Sequence, residues 1–331
     1  MRAAKPLPRA QAIKLAIVAA VAGLAPMMPA LAQTASWPTR NVRLVLPLGP
    51  GSGTDIGARL IAERISKAWG QPVVVENRPG GDSIVAINAV IGANDDHMLL
   101  WGPSASFTAH PYTLAKIPYD IRALIPLVRV SNTLVSVSVA NAVKATTVDD
   151  LVKAARAAPG KLNWASVTGL NDFLFQAFVK QAGIEMVRVP YRDAVQAATD
   201  LAEGRIEVYS SAYAITRPHI EAGRIRPIAF TNARRAAIMP GIPTVREAGY
   251  PALEFDGMVG AYGTSAVSEA ARKRISADVR AALADPVVVD RLMATGQVVN
   301  PGDGPEFASA IEEQRNVAAG AARILGIKAA E

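Results

Sequence analysis

Residues 47–55 read Pro-Leu-Gly-Pro-Gly-Ser-Gly-Thr-Asp and follow the short apolar run Val42-Arg43-Leu44-Val45-Leu46. After them Ile56, Leu60, Ile61, Ile65 and Ala68 recur at helical spacing. A strand, a glycine loop and a helix start in that order present backbone N–H groups to an anion, helped by the positive end of the helix dipole. The dinucleotide pattern GxGxxG fails, because its third glycine position falls on Thr54 or Ile56. The phosphate loop lacks its lysine, and a GxSxG nucleophile at Ser52 is excluded by Pro50. The loop therefore supplies amides and hydroxyls from Gly51, Ser52, Gly53 and Thr54, with Asp55 or Thr54 capping the helix.

Outward from this loop, strand-like runs alternate with helical patterns, which predicts an α/β fold with largely parallel sheets in two units. Residues 73–75 and 98–101 continue the first unit. The β-branched run 133–140 opens the second, followed by a helix over 149–158, strands near 162–165, 185–189, 206–209 and 226–231, and helices over 172–181 and 194–202. Helices dominate after Ser268. Two lobes joined by more than one crossing leave a cleft where the strand ends point.

The first residues stand apart. Arg2, Lys5, Arg9 and Lys14, an apolar run over 15–25 and Ala30-Leu31-Ala32 follow the plan of a cleavable secretory signal, residues 1–32, and the run is well short of the roughly 20 apolar residues of a spanning helix. Without those four bases, 31 basic residues face 28 acidic ones, net +3 in place of +7, so the charge gives no case for nucleic acid. With no cysteine there is no disulfide framework, thiolate metal site or lipidated cysteine. About 299 residues remain after residue 32, half of the whole chain being apolar, which is enough for two cores in an exported protein.

No catalytic constellation emerges. His97, His110 and His219 are far apart, none in a metal-spaced pair, and Asp95-Asp96 and Glu312-Glu313 read as solvated positions. Neither a cofactor nor a metal is called for.

The segments RLVLPLGPGSGTD (43–55), GQPVVVENRPGG (70–81), IPYD (117–120), PGKLNWAS (159–166), VPYRDAVQAATDLAEGRIEV (189–208), IPTVREAGYP (242–251) and ALADPVVVDRL (282–292) stand in an order and spacing that resembles the Bug-type substrate-binding proteins of tripartite tricarboxylate transporters. The resemblance spans essentially the whole chain after residue 32. It implies a two-lobed periplasmic solute-binding fold of type II, with lobe 1 over 33–135 and 236–331 and lobe 2 over 136–235. It also implies a monomer that closes on a small organic acid and delivers it to a membrane permease. Carried over, the ligand contacts are Gly51, Ser52, Gly53, Thr54, Asp55 and Ser104 on one side and Ser166, Thr168, Asn171, Tyr191, Arg192, Asp193 and Ala194 on the other.

The chain departs from that pattern at Gly49 and Ser52, at Asn171-Asp172 where Ser or Thr next to His is common, and at Asp193 where glycine is usual. Asp193 with Gln196 fits a capping box. Trp101, Phe107 and Phe173 offer walls for an aromatic acid, with core packing as the commoner role of such residues. Two rivals stay open: a sensor that presents its ligand to a membrane signalling partner, and a two-lobed α/β enzyme.

Overall fold

Val42–Leu46 form β1, buried at every position except Arg43, as a strand covered on both faces must be. The computed structural model describes residues 37–330 apart from 168 and 192, so the expected signal over 1–32, Thr168 and Arg192 lie outside the described residues. From β1 the chain runs through α1 (Gly53–Trp69), β2 (Val73–Asn77), α2 (Ile84–Ala93), β3 (Met98–Pro103), α3 (Ala105–Thr113) and β4 (Ile125–Thr133). Next come β5 (Val135–Ala140), α4 (Val148–Ala157), β6 (Asn163–Ser166), α5 (Leu170–Gln181), β7 (Val187–Arg188), α6 (Ala194–Ala202), β8 (Val208–Ala212), α7 (Tyr213–Glu221) and β9 (Ile225–Phe230). The last elements are β10 (Gly257–Gly263), α8 (Glu269–Ala282), α9 (Pro286–Ala294), β11 (Gln297–Asp303) and α10 (Gly304–Leu325).

Two sheets result, ordered β11-β4-β10-β3-β1-β2 and β7-β6-β8-β5-β9. They are mixed, which corrects the expectation of largely parallel sheets. β1 pairs parallel with β2 and β3, and β6 with β7 and β8, while β10, β11 and β5 pair antiparallel with their neighbours. The β-branched run 133–140 is also two strands, not one: β4 ends at Thr133 and, after Leu134, β5 begins in the other sheet.

The register sets how the sheets meet. β3 and β4 each pair antiparallel with β10, so both end at the edge where β1 ends. In the second sheet Val135 stands opposite Ala212 and Ser136 opposite Phe230, so β5 starts at the edge where β6 and β8 end. The carboxyl ends of both sets of parallel strands therefore face one another across the crossing at Leu134.

The chain returns between β9 and β10. Val245 and Leu253 lie in the core of the second sheet with Trp164, Phe175 and Tyr209, so the return crossing lies after Leu253, past residue 235. Asn232 staples the two crossings: its amide donates to Thr133 O at 2.9 Å and Asp256 Oδ1 at 3.0 Å and accepts from Val135 N at 3.1 Å. α10 spans both lobes, with Phe307 and Ile311 in the first core and Ala318, Ala321 and Ala322 against Leu170, Phe173 and Leu174 of α5.

Candidate functional site

The loop after β1 is held by one buried carboxylate. Asp55 accepts from Gly51 N at 3.0 Å, from both Arg59 Nε and Nη2 at 3.1 and 3.0 Å, and from Asn77 Nδ2 at 2.9 Å. Burial pushes its pKa up, but the hydrogen bonds from Arg59, Gly51 and Asn77 outweigh that and hold it below the usual carboxylate value. Gly51 sits at φ +82°, a conformation that favours glycine. Ser52 is the N-cap, its Oγ accepting from Asp55 N at 3.2 Å, so the cap is Ser52 rather than Thr54 or Asp55. With Gly51 N and Asp55 N engaged, the N–H groups of Gly53 and Thr54 are left without a hydrogen-bond partner among the described residues.

Gly53 is small for a second reason. A Cβ there would lie 3.0 Å from Thr295 O and 3.2 Å from Gln297 Nε2, so the start of α1 packs on the turn between α9 and β11. At the neighbouring strand end, a Cβ on Gly102 would lie 2.9 Å from the Pro47 ring, which places the first loop directly on β3. Ser104 follows. It is fully buried and donates to Gln314 Oε1 at 2.7 Å, pinning α3 to α10.

In lobe 2, Asn171 ties β6 to β8. Its Nδ2 donates to Ser166 Oγ at 2.7 Å and Ser210 O at 2.8 Å, and its Oδ1 accepts from Ser210 Oγ at 3.0 Å. α5 starts at Gly169, φ +88°, with no side-chain cap, so the N–H groups of Leu170, Asn171 and Asp172 have no partner among the described residues. α3 and α7, which follow β3 and β8, also start without a side-chain cap. α4, α8, α9 and α10, which do not start at these edges, are capped by Thr147, Ser268, Asp285 and Asp303.

At the third loop Tyr191 donates to Asp200 Oδ2 at 2.7 Å, and burial, followed by that bond, raises its pKa to about 12. Asp193 Oδ1 accepts from Val195 N at 2.8 Å and Gln196 N at 3.3 Å. The expected capping box is not formed, because the Gln196 side chain turns instead to Asp200 at 2.8 Å. Ala194 O accepts from Tyr209 Oη at 3.2 Å.

Ser52, Asp55, Ser104, Ser166, Asn171, Tyr191 and Asp193 thus hold the loops in shape, and among the described residues the groups left over are backbone amides and the Thr54 hydroxyl. Sequence reading missed Gln314, Asn77, Ser210 and Arg188, which pairs with Asp172 in the first turn of α5; only the polar character of Asn77 beside the loop motif hinted at one of them. Trp101 and Phe173 are core residues, Phe173 stacking on Tyr112 with centroids 5.7 Å apart, and the Phe107 side chain lies outside the described ones. Asp95, Asp96 and His97 bring ligand atoms within 4.8 Å of one another, the only such group found among the described residues. Protein groups already bind them: Asp95 takes Arg40 at 2.6 Å, and His97 Nε2 accepts from Thr39 N at 3.0 Å.

The model of the family described as tripartite tricarboxylate transporter family receptor matches residues 57–323. A protein encoded between tcbD and tcbE in a Pseudomonas species is 32% identical over 276 residues, 82% of each chain. Among solved structures, one described as a periplasmic transporter is 28% identical with a TM-score of 0.78, covering 88% of this chain and 99% of its own. An R. palustris protein solved with adipate gives the same identity, TM-score and coverage. The chain belongs to the tripartite tricarboxylate transporter receptor family, as a periplasmic substrate-binding receptor, not an enzyme, that captures an acid for a membrane permease.

Proposed function

We propose that the ligand is a small organic acid whose carboxylate is held by backbone amides at the starts of α1 and α5, with the start of α6 facing its other end. The observation that carries this reading is the start of α5 without a side-chain cap, where three successive N–H groups beside Ser166 have no partner among the described residues, on an edge opposite the amides of Gly53 and Thr54, which likewise have none there. Amides at a helix start are suited to a carboxylate, and such bonds to a charged group contribute about 1.5–3 kcal/mol each. Ser52, Asp55, Ser104, Asn171 and Tyr191 shape the loops in this reading and do not themselves grip the acid.

Asp193 restricts the second end. A glycine there would leave the α6 amides to the ligand, whereas the aspartate occupies two of them and adds a negative charge. The second end is therefore amide, hydroxyl, aromatic or cationic in preference to a nearby carboxylate. The R. palustris relative, solved with adipate, makes that diacid the natural reference probe.

The receptor acts as a monomer, released by cleavage after Ala32; N-terminal sequencing of periplasmic protein starting at Gln33 would support this, and an intact Met1 would refute it. A thermal-shift screen of adipate, its monoamide, amino acids and aromatic acids tests the ligand class. A true ligand at about 100 times its Kd stabilises by about 2.7 kcal/mol. A response to cations or sugars but to no acid would refute the reading.

A further inference from the structure

A cavity of about 380 Å³ lies between β4 and β11 on one side and the segment 232–235 after β9 on the other. None of its lining residues belongs to the loops 47–55, 103–104, 166–172 or 189–194. It is separate from the cleft site, and its walls come from both sides of the crossings.

The charges on those walls do not balance. Arg129, from β4, donates to Asn300 O at 2.9 Å and Asn300 Oδ1 at 3.3 Å, both neutral oxygens. Arg234, on the opposite wall, is exposed and makes no hydrogen bond or ion pair among the described residues. Arg235 is neutralised by Glu247 at 2.8 Å. Asp256 is the one carboxylate on the lining, and its Oδ1 is taken by Asn232 Nδ2 at 3.0 Å. Two guanidiniums on opposing walls thus face one carboxylate. The wall is also not satisfied from within, since the buried Asn132 leaves its Oδ1, an acceptor that a ligand hydroxyl and not a carboxylate would fill, without a partner among the described residues. A close-packed seam between lobes satisfies its polar atoms internally; this one is open and cationic.

We infer that this cavity is a second binding site, for a small polycarboxylate that meets Arg129 from lobe 1 and Arg234 from the segment beyond β9. Guanidinium groups suit carboxylates because their planar donors match the two oxygens, and the volume falls in the range of small-ligand pockets. A ligand touching both walls also bears on the crossings that Asn232 staples.

The test uses citrate as the probe on the full mature protein. A crystal structure grown with citrate should place it between Arg129 and Arg234, and calorimetry should show citrate affinity about tenfold or more weaker in Arg234→Gln. Arg234 is exposed, so that variant folds; Arg129→Gln is the second variant and should lose affinity at least as far. Adipate binding in the cleft should be unchanged in Arg234→Gln, since Arg234 lies outside the cleft loops. Citrate found only in the cleft, affinity indifferent to both arginine variants, or inorganic phosphate binding as tightly as citrate would each overturn the assignment.

Discussion

Arg188 closes on Asp172 with both arms, Nε to Oδ1 at 2.9 Å and Nη2 to Oδ2 at 3.0 Å, inside the first turn of α5. Asp172 is buried and also accepts from Gln176 at 2.7 Å. A bare carboxylate there would repel an acid seated on the α5 amides, and Arg188, 45% exposed, cancels that charge. Two unit charges about 4 Å apart interact by about 4 kcal/mol at an effective dielectric near 20, and the exposure of Arg188 reduces this to about 1–2 kcal/mol. Arg188→Ala should therefore weaken adipate binding about 5–30-fold, and adding Asp172→Asn should restore most of it. Calorimetry on the single and double variants checks this; a double variant no better than the single one would remove charge as the cause.

Asp55 makes stability depend on acid. Its pKa lies below 3.8 in the folded chain because the bonds from Arg59, Gly51 and Asn77 outweigh burial. A depressed folded value means that the stabilisation is fully present above the unfolded value and is lost as pH falls through the folded one. The stability gap between the native protein and Asp55→Asn should be constant at neutral pH and shrink below about pH 4, as urea melts at a series of pH values would show. A gap that widened in acid would contradict the assignment.

Gly53→Val should damage folding before it damages binding. The new Cβ meets a backbone carbonyl, Thr295 O, at 3.0 Å, and a carbonyl in a turn cannot swing aside as a flexible side chain does. Overpacking of this kind costs about 1–3 kcal/mol. A thermal melt should show the loss without ligand present; an unchanged melting temperature would mean that the turn before β11 yields freely.

Asp193 has two separable effects. As an N-cap, its replacement by alanine should cost about 1 kcal/mol of stability, and by glycine only a few tenths. Asp193→Gly also frees the Val195 and Gln196 amides, so it should improve the affinity for adipate relative to its monoamide by about tenfold. Equal preference in both proteins would leave Asp193 as a helix cap alone.

The sequence by itself determined many of the local elements, among them β1 and the helices over 149–158, 172–181 and 194–202, and the family. The helix over 194–202 has the expected ends because alanine-rich helical spacing and the Asp193 cap are both local signals, and the glycine loop was legible as an amide donor from its residue types. The motifs, taken in order, carried the resemblance. Tertiary structure decided what lay between distant residues. Along 133–140 the β-branched Thr133, Val135, Val137 and Val139 alternate without a break, so nothing local marks Leu134 as the residue where the chain changes sheets; the pairing of β4 with β10 and β11, and of β5 with β8 and β9, settles it. β10 reads as glycine-rich, because Gly260 must admit the Phe307 ring from α10, a contact made 47 residues away in the chain. Ser104 and Asn171 read as polar residues of the site, but the sequence does not show that their side chains hydrogen-bond Gln314 and Ser210. Residue type can say that a polar group will be satisfied. Only packing says by whom, because hydrogen-bond partners across a fold depend on which surfaces the chain brings within 3 Å.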